Sequence, residues 1–431
     1  MDKGGAMAVQ ARSRFDAFVK EDAAHRRLYT DPEIFAEEMR RIFGRTWVFV
    51  GHESEIPNPG DFKTFDIAGQ PIIVSRHTDG QVHVVFNRCM HRGAVVCEFQ
   101  SGNTSHFRCP YHAWVYQTNG ALALVPNREL FGSDFDVADY GLIPLPRVDS
   151  YGGFIFASLS PTGISLDEHL GRAKHYIDVF LHRSPLGKVQ ATKPLKYEFR
   201  GNWKFQMENM SDNYHAVYVH ASALAATRTA APAPNGSVNG FVQSIGPNEK
   251  DEKRIERSFG HGHGMLDYQG SRFILSQPER HPTYFEALAE SRGEERARVL
   301  AETDIHVMVY PNLILHTNYN HYRVVRPLAV NHTEINTYPC KLVGAPDDLN
   351  TALINASAVH VSPAGRIQVD DLEVFGRVQQ GLSVEAAEWV LFKMHGLDEH
   401  VNEDGELECR FLSEMIPRGY YREWSRLMAE E

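Results

Sequence analysis

Cys89-Met90-His91-Arg92-Gly93 and Cys109-Pro110-Tyr111-His112-Ala113-Trp114 decide how this chain is read. Each stretch offers one thiol and one imidazole beside turn-forming residues, and both pairs fall within 24 residues, from Cys89 to His112. A zinc site usually groups like with like, two Cys close together and then two His. Here each Cys has a His as its local companion. That pairing suits a 2Fe–2S cluster in which two Cys hold one iron and two His hold the other. Gly93 would let backbone N–H groups approach the cluster sulfides, and Trp114 would shield one side from water. Four unrelated residues in a loop-rich β segment is the competing account, and two such pairs so close together make it poor. Cys97 lies between the pairs without a His at matching spacing. With Cys340 and Cys409 it reads as a small buried hydrophobe.

Outward from these pairs the texture is that of a small β region, from about residue 45 to about residue 160. Pro71–Arg76 and Gln81–Asn87 are rich in Ile and Val and flank His77-Thr78-Asp79-Gly80, a hairpin signal. Gly152–Leu159 reads as a further strand. Upstream, Asp31 is placed to cap a helix, Pro32 suits its first turn, Ile34, Phe35, Met39, Ile42 and Phe43 form an apolar face, and Gly44 supplies the stop. Downstream of Ser160-Pro161-Thr162-Gly163 the segments lengthen. Helices are expected at Leu166–Leu181 and Ser383–Met394, strands near Val307–Thr317 and His321–Val330, and an irregular loop at Ala223–Asn248. The 431 residues exceed what one hydrophobic core usually supports, so two domains are expected. The composition, 42% hydrophobic and 23% charged, is that of a globular protein. A net charge of −11 disfavours nucleic acid or an anionic membrane as partner. No apolar run is long enough to span a bilayer, and the N-terminus lacks a signal-peptide stretch, so a cytoplasmic location with reduced thiols is expected. Five Cys, an odd number, agree with that.

A second constellation lies in Asn202–His220, NWKFQMENMSDNYHAVYVH. Asp212 and His215 are three apart and would share a helical face. His215 and His220 are five apart, about 140° around a regular helix, and could meet one ion only if the helix bulges or breaks. Satisfied core histidines are the plain alternative. Val369-Asp370-Asp371-Leu372 offers adjacent carboxylates at the start of a helical pattern, by itself a helix N-terminal charge feature. Joined with His215 and His220, that pair could complete the two-His, one-carboxylate triad of a mononuclear iron(II) oxygenase. A one-electron cluster and an oxygen-activating iron belong in one machine.

With both constellations in place, the chain resembles the large, or alpha, subunit of Rieske non-haem iron aromatic ring-hydroxylating oxygenases, from roughly residue 40 to the C-terminal region. The resemblance implies an α+β chain: an N-terminal helical segment (1–44) packing on the catalytic domain, a small all-β Rieske 2Fe–2S domain (45–160), and a larger catalytic domain of helices and antiparallel sheet (161–431). It implies that Cys89 and Cys109 ligate one cluster iron, His91 and His112 the other, and that His215, His220 and Asp371 hold the mononuclear Fe(II). Asp371 is chosen over Asp370 because the second acid of such a pair is the family's ligand. Asp212 matches the aspartate that links a cluster histidine of one subunit to an iron histidine of its neighbour, and Glu208, Asn209 and Tyr214 match the motif around the iron. Gly376 departs from the Glu that many relatives carry after the ligand Asp.

The activity so implied is insertion of O₂-derived oxygen into an aromatic ring, giving a cis-dihydrodiol or a phenol, with an aromatic carboxylic acid as the favoured substrate. A Rieske monooxygenase or demethylase with the same cofactors is the alternative. Implied partners are a ferredoxin and/or an NAD(P)H-dependent reductase, a small beta subunit, and further copies of this chain in a homo-trimer or an α3β3 assembly. Met207, Asn209, Val217, Leu224 and the strand near Tyr310 are candidates for the substrate pocket. Arg323 and Arg326 are read either as a clamp for a substrate carboxylate or as structural ion-pair partners.

Overall fold

The computed structural model describes residues 15–212, 214–223, 225, 254–267, 275, 280–396, 398–410 and 412–430. The irregular loop expected at Ala223–Asn248 falls almost wholly outside them, as does Leu224.

Asp31 opens the first long helix. Its carboxylate accepts from the N–H of Glu33 at 2.8 Å and also from that of Ile34, and Pro32 occupies the first turn. The helix Pro32–Glu38 then widens into a π turn, Met39–Phe43. Gly44 follows as its C-terminal boundary, where a Cβ would meet the Arg40 carbonyl oxygen at 2.5 Å, so glycine fits and a side chain does not.

The β region that follows consists of three small antiparallel sheets. One joins Val82–Phe86, Gln70–Arg76, Asp61–Ile67 and Ser101–Asn103 in that order. The hairpin forms as expected: His77 N–H donates to Gln81, and Gly80 sits at φ 80°, which its missing Cβ permits. A second sheet orders Leu122–Leu124, Val115–Gln117 and His106–Arg108, and a third pairs Arg147–Tyr151 and Val48–His52 on either side of Phe154–Ser158. Phe62, Ile73, Val85, Phe107, Trp114 and Tyr116 fill the space between the first two sheets, together with Cys89, Cys97 and Cys109.

The larger part is built on one ten-stranded antiparallel sheet. From one edge its order is Val189–Ala191, His332–Leu342, His321–Ala329, Leu313–His316, Ile305–Val309, His263–Asp267, Ile255–Phe259, Leu407–Arg410 and His400–Val401, with Leu195–Phe199 also paired to His332–Leu342. Alternation along these strands sends Val307, Leu315, Tyr322 and Val324 to one face, against helix Ala173–His182. It sends Met308, Ile314, Val325 and Ile335 to the other, against helices Lys204–Met210 and Met415–Ala429. The chain is thus α+β. Cys97, Cys340 and Cys409 are buried and free, as the sequence suggests.

Three expected elements differ. Leu166–Leu181 is two helices, Leu166–Leu170 and Ala173–His182, because Gly171 at φ 43° breaks the register. Val307–Thr317 is a hairpin of Ile305–Val309 and Leu313–His316 turning at Tyr310-Pro311, where proline cannot donate to a ladder. Ser383–Met394 is not a helix. Trp389–Leu391 pairs instead with Ala23–His25, and Trp389 packs against Lys20 and His25. The β preference of Trp-Val outweighs the helical spacing around it.

A buried ion pair ties the ends of the chain to the centre. Glu38 and Lys204 are both fully buried, 2.6 Å apart, and Glu38 also accepts from the indole N–H of Trp203 at 2.9 Å and Trp424 at 2.7 Å. One carboxylate therefore joins the N-terminal helix, the helix that leads to His215, and the last helix. Removing it strands a buried cation and two buried donors. Glu38→Ala should cost about 3–5 kcal/mol in denaturant melts, and Glu38→Gln should cost clearly less. Equal losses would show that the three donors require the negative charge itself and that a neutral acceptor of the same shape does not serve them.

Candidate functional site

The two Cys–His loops fold alike. In each, the Cys N–H donates to the carbonyl five residues on, Cys89 to Ala94 and Cys109 to Trp114, both at 2.8 Å. The residue four on donates back to the Cys carbonyl, Gly93 at 2.9 Å and Ala113 at 3.1 Å. That residue has positive φ both times, 78° at Gly93 and 57° at Ala113, a conformation that glycine adopts freely and alanine only under constraint. The loops present the buried Cys89 and Cys109 beside the rings of His91 and His112, whose centroids are 4.4 Å apart. Trp114 is buried and stacks on His91 at 5.0 Å. The Tyr116 hydroxyl lies 3.2 Å from Cys89 Sγ and accepts from the Met90 N–H. Nδ1 of His91 and of His112 is buried, and no described group satisfies either. Two thiols and two orphaned ring nitrogens converging on one spot are the donor set that a His-ligated 2Fe–2S cluster takes, so the residues fit that group.

The second constellation forms where a helix fails. Lys204–Met210 ends, and the Asp212 carboxylate accepts from the N–H of Tyr214 at 2.5 Å and of His215 at 3.4 Å, capping the next turn. That turn, Ala216–Val219, is one turn long, with His215 at its N-terminal boundary and His220 at its C-terminal boundary. Both imidazoles leave from its ends, which is how residues five apart converge without a π-bulge. Asp212 and His215 therefore do not share a helical face. Asp212 sits in the break, with Oδ2 3.4 Å from His215 Nδ1, an ion-pair contact rather than a well-formed hydrogen bond.

Asp371, in the first turn of helix Gln368–Gly381, completes the group. Its Oδ1 lies 3.7 Å from His215 Nε2 and 3.5 Å from His220 Nε2, and the three donor atoms fall within 4.8 Å of one another. Among the described residues this is the one group of three such donors close enough to hold a single ion. Asn209 Nδ2 stands 3.1 Å from His215 Nε2 and donates to Asp371 Oδ1 at 3.2 Å, bracing both. Burial pushes the Asp371 carboxyl up to about 6, opposed by the positive fields of His215 and Arg323. Burial pushes His220 down to about 3, helped by the same two neighbours. A neutral imidazole is the form that ligates a metal. Two His and one Asp aimed at one point fit a mononuclear iron(II) as a facial triad. A cleft of about 180 Å³ opens beside them, lined among others by Phe205, Asn209, Asp212, His215 and Glu414.

Two residues named in the sequence reading have supporting contacts that it did not assign. Asp370 Oδ2 lies 3.4 Å from His220 Nδ1, so the acid next to Asp371 orients the second imidazole. Its adjacency to Asp371 was the available signal. Glu208 accepts from the Tyr29 and Tyr421 hydroxyls, and burial raises its carboxyl to about 7. Nothing local in sequence joins those three. Of the pocket candidates, Met207 is buried in the core, and Tyr310 is buried against Trp203 and Tyr420. The side chain of Val217 lies outside the described residues.

The geometry separates the two acids. Asp371→Ala should lose the mononuclear iron and leave the cluster's visible spectrum intact, whereas Asp370→Ala should retain iron with affinity lowered roughly 10–100-fold. Iron and acid-labile sulfide assays decide. Loss of iron in Asp370→Ala alone would invert the assignment.

Comparison with known proteins identifies the family of the chain. The Rieske [2Fe-2S] domain family matches residues 46–140, and the ring hydroxylating alpha subunit (catalytic domain) family matches residues 186–417. The chain is 33% identical over 376 residues to the anthranilate 1,2-dioxygenase large subunit of Acinetobacter baylyi, covering 84% of this chain and 78% of that protein. It is 31% identical over 373 residues to the 2-halobenzoate 1,2-dioxygenase large subunit of Burkholderia cepacia, again covering 84% and 78%. The crystal structure of naphthalene 1,2-dioxygenase from Rhodococcus sp. bound to indole superposes with a TM-score of 0.81 at 28% identity, covering 95% of each chain. A catalytic-domain family match over residues 186–417, a Rieske domain match before it, and relatives 31–33% identical over 84% of the chain make it a member of the Rieske ring-hydroxylating oxygenase alpha subunits.

Proposed function

We propose that this chain is the catalytic subunit of an aromatic-acid dioxygenase, adding both atoms of O₂ to adjacent ring carbons to give a cis-dihydrodiol. The observation that carries this reading is the presence, on one chain, of a two-Cys, two-His loop pair and a buried two-His, one-Asp group. Cys89 and Cys109 would hold one cluster iron and His91 and His112 the other. His215, His220 and Asp371 would hold iron(II), leaving one face for dioxygen beside the substrate. The bound metals supply one-electron delivery and dioxygen activation, chemistry that no side chain provides.

The chain's own residues supply placement. Asp212 steadies the His215 ring from the cleft side and offers the contact through which electrons reach it. Asp370 does the same for His220, and Asn209 keeps His215 and Asp371 in register. The stoichiometry is arene, O₂, two electrons and two protons to one dihydrodiol. The electrons come from NAD(P)H through a reductase, directly or by way of a ferredoxin. We assign residues 45–160 to the cluster domain and 161–431 to the catalytic domain. We place the enzyme in the cytoplasm as a homo-trimer, with or without a small beta subunit. Carboxylated arenes are the favoured substrates, since two relatives are named for benzoate-type acids.

Monooxygenation needs the same ligands, so the product decides. Turnover under ¹⁸O₂ should give a diol carrying two labelled oxygens. A single labelled oxygen per product molecule would assign the chain to the monooxygenase or demethylase reading.

A further inference from the structure

Antiparallel pairing sets five polar side chains on one face of the large sheet. His306 pairs with His316, His316 with His321, and Arg323, two residues further along the strand, pairs with Thr337. All five are buried: His306 7%, His316 5%, His321 0%, Arg323 3% and Thr337 0% exposed. The imidazoles stack in a row, with ring centroids 3.6 Å apart between His306 and His316 and 4.6 Å between His316 and His321. This is the face that packs against the helix carrying Asn209 and Met210.

The partners of Arg323 are unusual. Nε donates to His321 Nε2 at 3.2 Å, and one terminal nitrogen reaches Met210 Sδ at 3.3 Å. Among the described residues no carboxylate pairs with it. Two other buried arginines are met by oxygen, Arg183 by the Thr317 carbonyl and Arg418 by Glu399 and two carbonyls. The neighbouring Arg326, the other half of the clamp considered from sequence, is paired with Glu334 and is structural. A guanidinium has five donors in a planar fork that matches a carboxylate. Here one donor of a buried guanidinium meets an imidazole and another a thioether, neither of them an anion, and Thr337 is its partner across the strands. Its tether, Met210, directly follows Asn209, which touches both His215 and Asp371. Its field reaches Asp371, but the two form no ion pair, and that carboxylate is the one expected to hold Fe²⁺; a buried cation so placed can take an anion from outside.

We propose that Arg323 is the specificity-determining residue of the substrate pocket, where it takes the carboxylate of an aromatic acid, with Thr337 beside it, and so holds the ring towards the His215–His220–Asp371 group. The proposal rests on the reading of that group as the iron site, and the test separates the two. Benzoate, salicylate, anthranilate and terephthalate are titrated calorimetrically into the purified holoenzyme, with benzamide as the neutral isostere of benzoate. The wild type should bind at least one of the acids, and prefer benzoate to benzamide. Arg323→Met should weaken acid binding by roughly tenfold or more and leave benzamide within about threefold. Arg323→Lys, which keeps the charge and loses the fork, should fall between and guards against a misfolded Met variant. Iron content and cluster absorption should be unchanged in both. Acid affinity unaltered in Arg323→Met, or no acid bound by the wild type, would overturn the proposal. Iron retained in His215→Ala would overturn the site reading independently.

Discussion

Asp371 is a carboxylate enclosed on three sides, with two imidazole nitrogens 3.5 and 3.7 Å from one of its oxygens and the Asn209 amide on the same atom. Burial alone raises its proton affinity, and His220 is pushed the opposite way, so neither group is at ease in the dry seam between helix and sheet. Asp212 and Asp371 favour a proton on His215, and a divalent cation can take that proton's place and meet the buried carboxylate and both imidazoles together. The rest of the catalytic half can be read as the apparatus that imposes this unfavourable proximity. The Asp212 cap fixes where His215 leaves its turn, Asp370 fixes His220, and the first turn of Gln368–Gly381 brings Asp371 to both.

That apparatus is anchored at a distance. Glu38 draws Trp203, Lys204 and Trp424 together, and Glu208 draws in Tyr29 and Tyr421. The helix that ends beside Asp212 is therefore clamped by the N-terminal segment on one side and the last helix on the other. A broken helix is a poor base for a metal site, because its ends fray. Two buried carboxylates hydrogen-bonded to aromatic donors stiffen its intact portion up to the break.

The cluster loops were legible from sequence because each ligand pair is local: a thiol and an imidazole within one turn, with Gly93 where φ must be positive. The triad was legible only in its residue types. Spacing led to a shared helical face for Asp212 and His215, whereas Asp212 makes its contact from a helix break that periodicity does not reveal. Arg323 and Arg326 look equivalent in sequence. Register across three strands separates them, giving one an acid and the other a row of imidazoles. Ser383–Met394 failed for a related reason, since its pairing partner Ala23–His25 lies more than 350 residues away.

Within one copy, the described residues give the two constellations no direct contact. Among the described residues no hydrogen bond, ion pair or ring contact joins the Cys89–His112 loops to Asp212 or His215. His91 and His112 are only partly covered, and Tyr111 beside them is 60% exposed, while Asp212 lines a cleft on the catalytic half. In the homo-trimer proposed above, an exposed cluster tip and an acid in an open cleft would face each other across a subunit boundary, and a head-to-tail ring would let every copy use both. The most direct test mixes Asp212→Ala chains with His91→Ala chains, each inactive alone, in verified mixed trimers. Transfer between copies predicts partial recovery of product formation, because some junctions pair an intact cluster with an intact Asp212. Mixed trimers with no activity would mean that electrons travel within one chain, by a route that bypasses this junction.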